Sequence, residues 1–432
     1  MGPLHGGLRV VLLSVVGNPE NRRVALFRAA VIRAGLPEPR VFGWREVLLS
    51  GAVPGPGSVV RIDSPGENAE VDRLLRTLGA SASASVSVSV SDGGCSASGE
   101  SASGGGSASG GSASGGGSVS GGVPVEHGEI AGLAHAHAGF GVALHRIAAG
   151  GGDLVNQPGD ILTMSDKPRC HALLAAAGVP VPPALGPVHD YRGLREAMRA
   201  AHWDRVFVKP AHGSSASGVL ALATAGRRIA ATTSVEAAPD GRLFNNLRVR
   251  RYDDEPSIAA IVDRLGPDGL HVERWYPKAG LGGRVLDLRV VVTAGRPAHV
   301  VVRTSHSPMT NLHLGNARGD VAQVRAAAGE RSWAAAMETC TQAAACFPGT
   351  LHAGVDLMFR AGWRDHAVAE VNAFGDLLPG VLADGQDTYD AQITALLNGW
   401  RAPAAALDGS RRGPGARRVP AAALLDGWRA DA

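Results

Sequence analysis

The chain alternates short apolar runs with amphipathic stretches, the pattern of an α/β protein. An apolar run at 10–16 reads as a buried strand. After the polar turn Gly17-Asn18-Pro19-Glu20, residues 22–34 carry Val24, Phe27, Ala30 and Val31 at helical spacing, with Gly35 as a stop. A second strand at 59–62 and a helix near 69–78 continue the pattern. The first 80 residues are therefore expected to form an N-terminal Rossmann-like α/β domain, without Gly-x-Gly-x-x-Gly.

From 81 to 122 the periodicity disappears into Ser, Gly and Ala, with Val86, Val88 and Val90 alternating at the start. Such a composition buries too little apolar surface to offset the entropy of ordering, so a disordered insert is expected. The alternation leaves an added edge strand open. Residues 123–155 read as a helical connection carrying His135, His137 and His145. His137 and His145 share one face, but no carboxylate or cysteine completes a metal set, so packed or solvated histidines are expected. Beyond it, strands and helices alternate with hairpins to about residue 400. Ser165 is the expected N-cap of a helix with Pro168 in its first turn and Gly178 as its stop. Residues 401–432 read as a loose tail.

Composition narrows the function only by exclusion. The chain has 432 residues, 45% of them hydrophobic, which calls for more than one core. With 42 basic and 39 acidic side chains, the net charge of +3 offers no strong field for nucleic acid or an anionic membrane. No apolar run approaches the ~20 residues of a membrane span. Four scattered cysteines without Cys-x-x-Cys fit a reducing, cytoplasmic setting.

Three segments carry chemistry. Residues 354–359 and 366–372 read as a hairpin; with its turn at Trp363, Asp356 and Glu370 become cross-strand partners, and Asn372 shares their face. Opposed carboxylates on an apolar hairpin repel, so a proton or a cation is expected between them, and oxygen-only ligands suit Mg²⁺. A solvent-facing acidic pair is the alternative. The second segment runs from the strand ending in Lys209 through Gly213, Ser214, Ser215, Ser217 and Gly218 into a further strand. Its small residues let backbone N–H groups approach phosphate, although many such loops bind nothing. Third, Asp287 and Arg289 share the polar face of a strand at 284–293. Arg303 on the returning strand is expected roughly across from Arg289, and close arginines attract an anion. Upstream, Glu273, Trp275 and Tyr276 lie on a strand stopped by Pro277, where backbone and aromatic faces suit a purine.

In this order the segments resemble the ATP-grasp superfamily, in its branch of RimK-type glutamate ligases and glutathione synthetases, over residues 156–380. The most specific elements are Thr310-Asn311-Leu312-His313-Leu314-Gly315, Asp287-x-Arg289, and Gly354-Val355-Asp356 with Glu370-Val371-Asn372. Bacterial ATP-grasp proteins share these segments. The resemblance implies a first lobe at 156–272 with a Gly/Ser lid and a second at 273–400 with the metal site. It implies Lys167 and Lys209 as phosphate contacts, Gly213 to Gly218 as the lid, and Glu273, Trp275 and Tyr276 as the adenine hinge. Asp287 and Asn311 match nucleotide-site positions, Arg289 and Arg303 match residues that steady the acyl-phosphate transition state, and Asp356, Glu370 and Asn372 match ligands of Mg²⁺, with Mn²⁺ as the other metal considered.

The implied activity is an ATP-dependent carboxylate–amine or carboxylate–thiol ligase acting through an acyl phosphate. Its partners would be a small-molecule or peptide carboxylate and an amine acceptor, with neither nucleic acid nor membrane, and a homodimer is left open. An ATP-grasp kinase and a non-catalytic Mg-ATP-binding protein are the alternatives. Two positions depart from the RimK-type pattern: Met309 precedes Thr310 and Asn316 follows Gly315. The segment at 223–266 is also expanded and carries Arg248, Arg250 and Arg251, which suits a lid, an acid-substrate pocket or structural padding.

Overall fold

A parallel sheet organises the N-terminal part. In the computed structural model, which describes residues 12–66, 68–91, 126, 128–213 and 216–403, strands β1 (Leu12–Val16), β2 (Arg40–Phe42), β3 (Ser58–Ile62) and β4 (Asp153–Leu154) pair in the order β2-β1-β3-β4, all parallel. Helix α1 (Arg22–Arg33) begins where the Asn21 side chain accepts the Arg23 N–H and buries Val24, Phe27, Ala30 and Val31. Helix α2 (Trp44–Leu49) follows β2.

Helix α3 (Ala69–Ser91) runs past the expected end at 78 and into the segment read as a disordered insert. The Ser-Val alternation lies within this helix and forms no edge strand. Packing explains the extension: α3 lies on α4 (Leu133–Ala149) so closely that a Cβ on Gly79 would stand 1.9 Å from the His135 carbonyl oxygen, and one on Gly139 would stand 1.9 Å from that of Leu75. Two glycines thus admit backbone-to-backbone contact, and a helix so anchored propagates cheaply. The rest of the expected insert lies outside the described residues, as does most of the expected C-terminal tail.

Helices α5 (Pro158–Ser165) and α6 (Lys167–Ala176) lead into two further sheets. Ser165 ends α5 and does not cap α6; the cap is Asp166, whose carboxylate accepts the Arg169 N–H. After α7 (Tyr191–Ala200), strands β5 (Arg205–Pro210), β6 (Leu220–Ala225), β7 (Arg228–Ala237) and β8 (Leu243–Tyr252), helix α8 (Glu255–Leu265) and strand β9 (Leu270–Arg274) build a five-stranded antiparallel sheet, β8-β7-β6-β5-β9. The next sheet has the order β13-β12-β11-β14-β15, with β10 (Gly280–Leu281) pairing β11. Its strands are β11 (Arg284–Thr293), β12 (Arg296–Ser305), β13 (Ala317–Gly319), β14 (His352–Phe359) and β15 (His366–Asn372). The even positions Leu286, Leu288, Val290 and Val292 of β11 join a core with Val324 of α9 (Val321–Ala328) and Trp333 and Ala336 of α10 (Glu330–Ala345). That leaves the odd positions for polar chemistry. Helix α11 (Thr388–Leu397) returns to pack Tyr389 and Ile393 against Phe27 of α1. Among the described residues no helix is long and apolar enough to cross a membrane.

One buried cluster ties the N-terminal sheet to the chain beyond β15. Arg61 Nη2 lies 2.7 Å from Asp376 Oδ2, Arg23 Nη1 lies 3.2 Å from Asp376 Oδ1, and Gln392 Nε2 donates to Asp376 at 2.9 Å. His352 is buried beside them, with Nε2 3.4 Å from Asp376. Burial pushes the His352 imidazole down to about 4, against the pull of Asp376. An unfolded histidine titrates near ~6.5, so between these values the unfolded chain binds a proton that the folded chain refuses. Stability should therefore fall as pH drops from about 6.5 towards 4, by about 3 kcal/mol from this group. Thermal melts across that range check the slope, and an unaltered slope in His352→Leu would assign it elsewhere.

Candidate active site

The polar face of the second sheet carries a row of alternating charge. Register sets Asp287 of β11 opposite Arg303 of β12, Arg289 opposite Asp356 of β14, and Asp356 opposite Glu370 of β15. The expected Asp356–Glu370 pairing is present, but the turn alone does not set it: next to the turn Leu357 pairs with Val368, and a register shift between Asp356 and Leu357 brings Glu370 opposite Asp356. Trp363 in the turn takes a positive φ of 63°. Arg303 does not lie across from Arg289, whose β12 partner is Val301; the register is offset by one pleat. The two arginines still converge, because both reach Asp356. Arg289 donates from Nε to Oδ1 at 2.5 Å and from Nη2 to Oδ2 at 3.1 Å, while Arg303 Nη2 lies 3.2 Å from Oδ2. Arg303 Nε also donates to Asp287 Oδ1 at 2.7 Å.

This geometry corrects the electrostatic expectation for the hairpin. The opposed carboxylates need neither a proton nor a metal to coexist, since two guanidiniums of the same sheet already neutralise Asp356. Burial would raise the Asp356 carboxyl, but Arg289 and Arg303 outweigh it and hold the group below its ordinary range. Asp287 behaves likewise: burial is overcome by Arg303 and Lys278, and its carboxyl lies well below the usual carboxylate range. Glu370 is the more accessible partner, with 29% of its side chain exposed and Lys167 Nζ 3.9 Å away. Asn372 Nδ2 donates to Gly354 O at 3.3 Å. Among the described residues no group of three or more His, Cys, Asp or Glu forms a ready metal cage. The two carboxylates and one amide are nevertheless hard oxygen donors of the kind Mg²⁺ takes when phosphates and water complete its shell.

The five-stranded sheet and helix α6 contribute lysines. Lys209, on β5, donates to Glu273 Oε2 of β9 at 2.7 Å, and His271 Nε2 lies 2.9 Å from the other oxygen. Burial alone would raise Glu273; Lys209 and His271 reverse that and bring its carboxyl down to about 2. Lys167, at the start of α6, donates to Gly213 O at 2.7 Å, so it touches the Gly/Ser loop on one side and approaches Glu370 on the other. The loop closes at Ser217 and Gly218, whose φ of 74° brings the chain against Pro210. Ser214 and Ser215 lie outside the described residues. The Trp275 ring packs tilted against Phe207 with ring centroids 5.0 Å apart, and the Trp275 backbone N–H donates to Arg205 O at 3.0 Å; burial pushes the Tyr276 phenol up to about 12. Met164, Lys167, Cys170, His171, Glu273 and Glu370 line a narrow gap between α5, α6, β9 and β15.

Lys278 completes the row, and the sequence reading passed over it. Its ammonium donates to Asp287 Oδ2 at 3.1 Å and to Thr310 Oγ1 at 2.8 Å, and the Thr310 hydroxyl itself bonds Asp287. The lysine thus pins the loop before Asn311 to the sheet. Its only signal in the sequence is its place just after Trp275-Tyr276-Pro277. At the two departures, Met309 is buried, and the Asn316 amide donates to the carbonyls of Met309 at 2.8 Å and Asn311 at 3.0 Å. Asn316 therefore braces the turn at Leu312–Leu314 that follows Asn311. Of the histidines of α4, His137 stacks on His212 with centroids 4.0 Å apart, and His145 bonds Gly141 O of its own helix.

No family model matches the chain, and no curated protein does. Solved structures do. The ATP-grasp ligase PsnB complexed with a minimal precursor is 14% identical, over 90% of this chain and 99% of that one, at a TM-score of 0.46. D-cycloserine synthetase DcsG is 14% identical, over 89% and 99%, at 0.48. A RimK domain ATP-grasp protein from Sphaerobacter thermophilus DSM 20745 is 15% identical, over 89% and 99%, at 0.46. Along about nine-tenths of its length, the chain is similar to ATP-grasp ligases.

Proposed function

We propose that the protein is an ATP-grasp ligase that activates a carboxylate with ATP and passes the acyl group to an amine or thiol. The observation that carries this reading is the convergence at Lys167, which touches the Gly/Ser loop of one lobe and approaches Glu370 on the charged face of the other. Phosphoryl transfer needs cations spread along the phosphates, a positioned nucleophile and exclusion of water, and it needs no side-chain nucleophile.

In this reading Lys167 and Lys209 hold the phosphates, with the backbone at Gly213, Ser217 and Gly218 above them. Glu273, Trp275 and Tyr276 border the purine, and Asp287 and Asn311 contact the nucleotide. Asp356, Glu370 and Asn372 would hold Mg²⁺, which supplies charge neutralisation across the phosphate oxygens. A substrate carboxylate oxygen attacks the γ-phosphorus and ADP leaves. Arg289 and Arg303, now shared with Asp356, steady the charge on the acyl phosphate. An amine then adds to the acyl carbon, the bond to phosphate oxygen breaks, and the amine loses a proton as the amide forms. The parallel sheet at the N-terminus, which includes β4, is in the same proposal the Rossmann-like domain preceding the two lobes; the expected boundaries at 80 and 272 fall inside α3 and β9 and are moved past these elements, while the one at 155 follows β4.

Trapping the intermediate tests the proposal. With Mg-ATP, a panel of carboxylic acids and hydroxylamine, at least one acid should yield ADP and hydroxamate together. ADP with a stable phosphorylated product and no hydroxamate would instead identify a kinase.

A further inference from the structure

The inference rests on the ligase reading and concerns its substrate. Every cation described above on the cleft face has a partner within the chain: Lys167 has Gly213 O, Lys209 has Glu273, Lys278 has Asp287, and Arg289 and Arg303 have Asp356. A substrate with one carboxylate is served by that set. A second anionic group would have to find its own cation.

The β7–β8 hairpin offers one. Thr233 of β7 pairs with Arg250 of β8, and Val235 pairs with Asn245, so residues 246–249 stand opposite the single residue Ser234. This excursion is anchored at its base: the Asn246 amide bonds Glu236, and Arg250 Nη2 donates to the same carboxylate at 2.6 Å. Between the anchors Leu247 is held at φ 28°, where a branched side chain is strained, and it is 57% exposed; Val249 is 36% exposed. Strain and exposed apolar groups are both costly, and a fold retains them where a segment does something besides pack. Arg248 and Arg251 are exposed, and among the described residues no carboxylate pairs with either. Strand β8 also approaches the turn at Leu312–Leu314, which follows Asn311 in the other lobe. The strand that carries the excursion therefore lies beside the segment that follows Thr310 and Asn311.

We propose that residues 246–251 form a specificity element for a dianionic small-molecule substrate: one carboxylate is activated at the cleft, and a second anionic group is held by Arg248 and Arg251. The adjoining Leu247 and Val249 shield that contact from water, which strengthens it. Arg250 stays on Glu236 and fixes the excursion's base.

The test pairs malonate, succinate and glutarate with propionate, butyrate and valerate, acids of matched carbon count, in the Mg-ATP assay on the full chain. At least one dicarboxylate should exceed its monocarboxylate in kcat/KM by about tenfold or more, the scale of one charge-assisted hydrogen bond. The preference should collapse in Arg248→Gln/Arg251→Gln and persist in Arg248→Lys/Arg251→Lys, with thermal melts confirming that both fold. Equal use of the two classes, turnover of no dicarboxylate, or a preference that survives the glutamine pair would overturn the inference. Hydroxamate from the monocarboxylates without any dicarboxylate preference would leave the ligase standing and remove only this element. Failure to bind Mg-AMPPNP in calorimetry would remove the ligase itself.

Discussion

Asp376→Ala is expected to lower the unfolding free energy by about 3–5 kcal/mol, the usual cost of leaving a buried charge without its partner. Asp376 is fully buried and receives Arg61, Arg23 and Gln392, with His352 3.4 Å away. Burial would raise its carboxyl, yet the surrounding cations hold it far below the usual range. Removing it strands Arg61, whose other carboxylate, Asp63, lies 3.7 Å off. The cluster also reaches the candidate site. Gly375 O accepts from Arg289 Nη1 at 3.3 Å, and a Cβ on Gly375 would stand 2.6 Å from the Gly354 Cα, so the turn before Asp376 is wedged beneath β14. Urea unfolding followed by tryptophan fluorescence measures the loss. A loss below about 1 kcal/mol would show that the cluster relaxes or admits water.

Glu370→Gln should weaken Mg-dependent AMPPNP binding on the order of 100-fold while leaving the thermal midpoint nearly unchanged. Glu370 is the cleaner probe of the metal proposal. Asp356→Asn also releases Arg289 and Arg303, so its effect would mix metal loss with the cost of two under-neutralised guanidiniums. Glu370 is partly exposed, and its nearest cation, Lys167, keeps its bond to Gly213 O. Calorimetry with and without Mg²⁺ separates the contributions: nucleotide binding without metal should change little or improve, because one negative charge beside the phosphates is gone. Equal Mg-dependent affinity in wild type and variant would dismiss Glu370 as a ligand.

Much of the candidate site could be read along the chain because it is built from strands. Side chains alternate with period two, so the hairpin at 354–372 and its two carboxylates on facing strands could be read by counting, but the Asp356–Glu370 pairing itself also depends on a register shift beside Leu357 that counting does not reveal. The limit appears where counting must cross between hairpins. The pairing of Arg289 with Asp356 joins strands separated by α9 and α10, and no local pattern specifies their offset. The same limit hid Lys278: a lone lysine in a loop has no periodicity, and its role arises only where Thr310 and Asp287 meet it.

Local sequence alone determined the amphipathic helix after β1, the strand–loop–strand around the Gly/Ser segment, and the acidic hairpin, since each depends on spacing, turn residues and backbone preference within a few residues. The tertiary structure decided everything that depends on charge balance. It set two arginines on Asp356 where a proton or a cation between the carboxylates was expected, carried α3 beyond its apolar stripe by glycine contact with α4, and gathered Arg23, Arg61, His352 and Asp376 from distant segments. Electrostatic and packing energies depend on distance in space, and separation along the chain says little about either.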